Sequence, residues 1–204
     1  MPEKPGQTKN SKIMKFIRPF CIAILFLGPV ALPVARADDF KPEPGYISLF
    51  NGTDLTGWGY RTNNFDGKTA SDDGRYSAGD GILTVHPRSP RKIQVIWTSV
   101  EFSNDFNLKL EFRAATNADS GIFIRRPQLQ CRDYLVAGPY TNLLHYRPQD
   151  WNQIDITVSN GVAHCTCNGE VLEDALKVPP TGPIGFEGDR GQMEYRRVRL
   201  KELP

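Results

Sequence analysis

Gln153-Ile-Asp-Ile-Thr-Val-Ser-Asn-Gly-Val-Ala-His-Cys-Thr-Cys167 decides the fold class of this chain. Two alternating runs flank Asn160-Gly161, and a two-residue Asn-Gly turn is the strongest short signal of a β-hairpin, because both turn residues must take positive φ. Such a turn fixes the register. Ser159 faces Val162, Val158 faces Ala163, Thr157 faces His164, Ile156 faces Cys165 and Ile154 faces Cys167. Period-2 alternation then sorts the side chains. Ile154, Ile156, Val158, Ala163, Cys165 and Cys167 form a core face, and Asp155, Thr157, His164 and Thr166 an outer one. His164 lies diagonal to Asp155, which we read as a surface pair rather than a catalytic one.

Outward from the hairpin, the chain repeats the same grammar. A second Asn-Gly turn, Asn168-Gly169, follows it. Glu170 to Val178 is the one stretch that admits a short helix. Pro179-Pro-Thr-Gly-Pro183 breaks the chain, and strands are expected at Ile184 to Gly188 and Met193 to Leu203. The last strand carries Val198 and Leu200 on one parity and Tyr195, Arg197, Arg199 and Lys201 on the other. Upstream, strands are expected at the start of Tyr46 to Trp58, at Gly81 to Val85, at Ile93 to Val100 and at Phe106 to Ala115. Gly59 to Gly79, rich in Gly, Asp, Asn and Ser, reads as a long irregular loop, and Pro87 to Lys92 as a basic solvated turn. Many short strands with turn punctuation predict an all-β fold, an antiparallel two-sheet sandwich or jelly roll.

Phe106 to Asp133 concentrates polar side chains at alternating positions. Asn107, Lys109, Glu111 and Arg113 oppose Phe106, Leu108, Leu110 and Phe112. Asn117-Ala-Asp-Ser-Gly121 turns the chain into an apolar run ending on Arg125 and Arg126, and Gln128, Gln130 and Arg132 oppose Leu129, Cys131 and Asp133. Three successive strands would gather Glu111, Arg113, Arg125, Gln128 and Gln130 on or near one polar sheet face. That face is either a solvated exterior or a binding face. Its mixture of a carboxylate, guanidinium forks and planar amides suits a neutral, hydroxyl-rich ligand.

The N-terminal residues read as a secretory leader. Lys9, Lys12, Lys15 and Arg18 precede apolar stretches at 20–27 and 30–34, and Ala35-Arg36-Ala37 is a cleavage signature. Pro29 and Pro33 interrupt the apolar run, which is short for a bilayer span. Residues 1–37 are therefore assigned to a signal peptide, 38–45 to a linker and 46–204 to one domain, secreted or periplasmic, with no membrane insertion after cleavage. The leader carries six of the 25 Lys and Arg and one of the 23 acids, leaving 19 bases against 22 acids in the mature chain. A net charge of −3 makes nucleic acid a poor partner. Cys131, Cys165 and Cys167 remain; they read as three small buried hydrophobes, with one disulfide from Cys131 to either of the others as the alternative. No metal site is legible in their spacing.

Several phrases together resemble the 3-keto-disaccharide hydrolase domain family, also called 3-keto-glucoside 1,2-lyase/3-keto-2-hydroxy-glucal hydratase. They are Ser48-Leu-Phe-Asn-Gly-Thr-Asp-Leu-Thr-Gly-Trp58, Phe106-Asn-Leu-Lys-Leu-Glu-Phe-Arg113, Asp119-Ser-Gly-Ile-Phe-Ile-Arg125, Trp151-Asn152, Asn168-Gly169, Gly182-Pro-Ile-Gly185 and Tyr195 to Leu203. The resemblance implies a concanavalin-like jelly roll, bacterial export and a sugar-binding concave face. It implies cleavage of 3-keto-glucosides by elimination and hydration. The chain departs from the family pattern at two places. Gln128 stands where an acid is usual, and Phe186-Glu-Gly-Asp189 replaces a Leu-Gln-x-His phrase. On this reading Arg125 is the oxyanion partner, Glu111 or Glu187 the base, and Asp133 a second acid/base group. Gln130, Gln128, Arg113 and Asp189 bind substrate. Loss of Arg125 is then expected to cost on the order of a hundredfold in turnover. No cofactor is called for, although a divalent metal is compatible with the chemistry. The alternative is a non-catalytic carbohydrate-binding or cell-surface interaction module. The two differ in which face Trp58, Trp97 and Tyr134 occupy.

Overall fold

The computed structural model describes residues 1–2, 40–135 and 141–204. The leader from residue 3, its cleavage site and the start of the linker lie outside the described residues. Among the described residues there are only strands, in chain order β1 (Ile47–Ser48), β2 (Trp58–Tyr60), β3 (Asn63–Asn64), β4 (Tyr76–Gly79), β5 (Ile82–Val85), β6 (Gln94–Thr98), β7 (Phe106–Ala114), β8 (Asp119–Ile124), β9 (Gln128–Arg132), β10 (Asn152–Ser159), β11 (Val162–Cys167), β12 (Glu170–Lys177), β13 (Ile184–Gly188) and β14 (Met193–Glu202). They form two antiparallel sheets. One runs β12-β11-β10-β7-β14-β5-β4 with β1 on β14, and the other runs β3-β2-β6-β13-β8-β9. The predicted all-β sandwich is the observed one.

The β10–β11 hairpin has the predicted register throughout, from Ser159↔Val162 to Ile154↔Cys167. Asn160 and Gly161 take φ of 51° and 75°. All three cysteines are buried and free. They pack as apolar groups, and burial pushes the Cys165 and Cys167 thiols up to about 12. His164 does not pair with Asp155. Its Nδ1 meets Asp174 on β12 at 2.5 Å, while Asp155 accepts from Asn107. Glu170 to Val178 is a strand and not a helix, because Asn168-Gly169 turns tightly enough to continue the meander and lay β12 along β11. The loop from Gly59 to Gly79 contains β3 and β4.

Aromatic rings join the two layers. Trp58 of β2 stacks on Phe186 of β13 at 4.9 Å, and Phe186 stacks on Tyr195 of β14 at 4.1 Å. Tyr195 was expected on the polar parity of the last strand. A bulge between Arg196 and Arg199, with Arg197 at φ 54°, lets both Tyr195 and Val198 face the core. Trp58 and Tyr134 are core residues, whereas Trp97 is half-buried on an outer face.

Candidate functional site

The β7–β8 connection decides where the polar residues go. β7 pairs with β10 and β14 in one sheet, and β8 pairs with β13 and β9 in the other. The segment from Ala115 to Ala118 therefore crosses between layers instead of closing a hairpin. Alternation along each strand is as expected, but the sequence pattern carries no mark of the change of sheet. Glu111 and Arg113 consequently lie on the outer face of the eight-stranded sheet, away from Gln128 and Gln130. Glu111 binds Arg196 and Arg197 at 2.7 and 3.0 Å, and Arg113 binds Glu194 at 2.5 Å. Trp151 lies between Arg113 and Arg196, with guanidinium carbons 4.8 and 3.9 Å from its ring centre. This is a closed network of ion pairs and cation–π contacts, not a base awaiting substrate.

Arg125 ends β8 in the left-handed conformation, φ 64°, and this turns its side chain inward. Its guanidinium donates to Asn104 O at 2.6 Å and Pro179 O at 2.9 Å, over the Phe106 ring. Burial lowers its pKa. It pins two loops together and is not aimed at the sheet face. Asp133 is likewise buried, accepting from Asn117 N, Tyr146 Oη and Gln149 Nε2 at 3.1–3.2 Å. The expected grouping of Arg125, Glu111 and Gln130 in one pocket does not occur.

Four of the expected residues do converge, on the outer face of the six-stranded sheet. Gln128 and Gln130 point out from β9, Glu187 from near the end of β13, and Asp189 from just beyond it. The register places Gly185 between Trp97 of β6 and Phe123 of β8, Phe123 beside Gln128, Gly121 beside Gln130, and Glu187 beside Val95. Two glycines lower the floor. A Cβ on Gly121 would sit 1.9 Å from Gln128 Nε2, because the Gln128 side chain crosses Gly121 to donate to Glu187 Oε2 at 2.6 Å. A Cβ on Gly185 would sit 2.7 Å from the Trp97 ring, which leans across it toward Phe123, 5.3 Å away between centroids. A glycine inside a strand marks such a close approach, and this signal was available in the sequence. It would have added Trp97, Phe123, Gly121 and Gly185 to the site.

The carboxylates of this face differ in environment. Asp189 is held by both arms of Arg91. Asp119 accepts from Gln130 at 2.6 Å and lies 3.4 Å from both Arg132 and Arg190. Among the described residues Glu187 meets only the neutral amide of Gln128, and it is 8% exposed. Burial, and secondarily the charge of Asp189, push its carboxyl above the ordinary value, against a smaller lowering from Gln128. Among the described residues no three His, Cys, Asp or Glu side chains converge as a metal site, and these carboxylates are already taken by side-chain donors. The donor set does not fit a divalent ion.

The backbone under Glu187 is fixed from the core side. Tyr76 Oη donates to Phe186 O at 3.0 Å, Ser120 Oγ to Glu187 O at 2.6 Å, and Arg75 Nη2 to Asp189 O at 2.9 Å. Beyond Trp97 the face opens into a pocket of about 420 Å³ at the sheet end, bordered by Arg61, Asn64, Ser99, Glu101, Arg125, Arg126 and the Thr181–Pro183 loop.

The two-sheet β-sandwich and the family its sequence matches make this a carbohydrate-related domain. The chain belongs to the 3-keto-alpha-glucoside-1,2-lyase-like domain family, whose model matches residues 45–201. Its fold is similar to two crystal structures of proposed glycosyl hydrolases from Parabacteroides distasonis. Both are 18% identical and span 78% of this chain; the TM-scores are 0.61 and 0.58, over 95% and 99% of those chains. No match to this chain was found among curated proteins.

Proposed function

We propose that this is an exported carbohydrate-active domain that cleaves 3-keto-glucosides by elimination and hydration on the outer face of the six-stranded sheet. Glu187 is the residue that carries the reading. It is a carboxylate on a ligand-facing surface that is buried, without a cationic partner, and shifted toward neutral pH. That is the environment a general base requires. The sugar ring stacks on the Trp97–Phe123 surface, and Gln128 and Gln130 meet its hydroxyls.

The C3 ketone acidifies the proton at C2. Glu187 takes that proton, and the electron pair moves to O3 as an enolate. The C3 ketone then re-forms and the C1–C2 double bond forms as the C1–O bond breaks, and the departing oxygen takes the proton from Glu187, which regenerates the carboxylate. Water adds its hydroxyl at C1 and a proton at C2, giving the free 3-keto sugar and an alcohol. One Gln128 amide hydrogen is taken by Glu187, and the other can donate to a ligand oxygen. Arg125, facing inward, takes no part. Export is supported by the leader residues, and the mature chain is expected to begin at Asp38.

A product assay on 3-keto-glucosides, with wild type and Glu187→Gln, with and without divalent metal, tests the reading. Turnover that Glu187→Gln abolishes supports it. The second reading, a binding module, is favoured by the Trp97–Phe123 surface and by Gln128 and Asp189 standing where the family pattern has an acid and a histidine. Sugar binding with no turnover in wild type would establish that reading and overturn the enzymatic one.

A further inference from the structure

The pocket beyond Trp97 is not needed to hold the sugar that reacts. It lies past the end of β6 and β13, whereas Glu187 sits two residues along β13 from Gly185 on the other side of Trp97. Trp97 is thus shared, with one edge toward the carboxylate and one bordering the pocket. A volume of about 420 Å³ suits one further small unit.

Its lining carries more positive than negative charge, Arg61, Arg125 and Arg126 against Glu101. Arg61 lies over the Trp97 ring, 5.1 Å from the centroid, and Arg126 follows the turned Arg125. Both are exposed, and among the described residues neither has an ion-pair partner. The carboxylate bordering the pocket, Glu101, is engaged by the Thr181 hydroxyl at 3.2 Å. Elsewhere on the domain, Arg91, Arg113, Arg132, Arg190, Arg196 and Arg199 are all neutralised by carboxylates. Among the described residues Arg147 is exposed without a carboxylate too, but it stands alone, whereas Arg61 and Arg126 border one pocket together. Asn64, Ser99 and Thr181 supply donors and acceptors for hydroxyls.

We propose that this pocket seats the leaving-group half of the substrate and that this half is a hydroxylated unit bearing a negative charge, such as a sugar acid. The inference rests on the proposed function of the Glu187 face and names the substrate class of that site. Arg61 and Arg126 meet the anion, Asn64 and Thr181 meet its hydroxyls, and Trp97 orients the bond between the two halves. The preference is electrostatic and weakens with added salt.

Unoxidised sugars test it without turnover. In maltobionate and cellobionate the leaving half is an open-chain gluconate instead of the glucopyranose of maltose and cellobiose, so the salt and double-substitution arms separate the effect of the carboxylate from that of the opened ring. Titration calorimetry on the mature domain should show one bionate binding about tenfold more tightly than its parent at low salt, the scale of a pair of partly exposed charge contacts. In Arg61→Ala/Arg126→Ala, and in wild type at about 0.5 M salt, the preference should collapse to about twofold or less. Both side chains are exposed, so the variant should fold. Equal binding of bionate and parent, no binding of either pair, or a preference that survives the double substitution would overturn the proposal. The turnover assay is separate. A charge-dependent preference with no cleavage of 3-keto-glucosides would remove the enzymatic reading and leave the pocket as the acidic half of a binding site.

Discussion

Gln128 Nε2 donates to Glu187 Oε2 at 2.6 Å across the bare backbone of Gly121. The contact spans β9, β8 and β13, and it gives a buried carboxylate a neutral partner instead of a cation. A guanidinium in the same place would hold Glu187 ionised and weakly basic. An amide leaves burial as the dominant influence, so the carboxyl stays above its ordinary value of 4.5.

Glu187→Gln should reduce turnover of a 3-keto-glucoside by about 10²- to 10⁴-fold with little change in sugar affinity. In wild type, kcat/KM should rise with pH through the raised Glu187 value, because only the carboxylate can take the C2 proton. Stability should move the other way. A folded pKa above 4.5 means the folded state holds this proton more tightly than the unfolded chain. That contribution is present below 4.5 and is lost as pH rises through the folded value. Glu187→Gln should therefore melt higher than wild type at neutral pH, and the gap should close in acid. Thermal melts across pH that show the gap widening toward acid would contradict this assignment of burial as the cause.

Gly121→Ala and Gly185→Ala separate the two halves of the face. At Gly121 the new methyl meets Gln128 from Cγ to Nε2, a flexible side chain that can swing away by changing rotamer. Stability should fall by about 1 kcal/mol or less, while Gln128 loses Glu187 and activity falls. At Gly185 the methyl meets the Trp97 ring and Val95, both at under 3 Å, and neither can swing clear cheaply. That substitution should cost about 1–3 kcal/mol and weaken sugar binding. Urea melts and sugar titrations on both variants read the difference.

The hairpin register, the sandwich and the outward direction of Gln128, Gln130 and Glu187 were all legible in the sequence, because alternation and Asn-Gly turns are local. The partition of strands between sheets was not. Glu111 and Gln130 obey the same parity rule, yet their strands lie in different layers, and the four residues from Ala115 to Ala118 carry no sign of the crossing. Two further errors came from single residues with positive φ. Arg125 at 64° turns a predicted ligand-facing side chain into the molecule, and Arg197 at 54° brings Tyr195 to the core. Arginine takes that conformation rarely, so neither turn announces itself as glycine would.

Arg125→Ala should act on stability and not on the chemical step. The substitution leaves Asn104 O and Pro179 O without their donor and removes the cation over Phe106. The cost should be about 1–3 kcal/mol. Turnover per folded molecule should stay within about threefold of wild type, since Arg125 borders the pocket beyond Trp97 but its guanidinium is turned to Asn104 O and Pro179 O. A hundredfold loss of kcat at unchanged stability would restore Arg125 to the catalytic role first expected of it.

Arg75 offers the strongest test of how the site is held. Its side chain is fully buried, and it donates to His86 O, Lys92 O and Asp189 O, at 2.5, 3.3 and 2.9 Å. Gly188 makes room for it, since a Cβ there would lie 2.4 Å from Arg75 Nε. A buried cation is costly unless its hydrogens are matched; here backbone carbonyls from three segments match Nη1 and Nη2, while Nε has no partner among the described residues. The segment that bears Glu187 and Asp189 is thereby tied to the loop after β5. Arg75→Met leaves three carbonyls without a donor and should destabilise the domain by about 3 kcal/mol or more. Arg75→Lys keeps the charge but loses the fork, so it should fold better than Met and worse than wild type. Ser120→Ala and Tyr76→Phe each remove one donor beneath the same strand and should cost about 1–2 kcal/mol. If these groups position Glu187, its carboxyl titration, followed by carbon-detected NMR in Ser120→Ala, should shift from the wild-type value while the fold persists. An unshifted titration in a folded Ser120→Ala would show that the donors support the strand without setting the chemistry of the carboxylate above it.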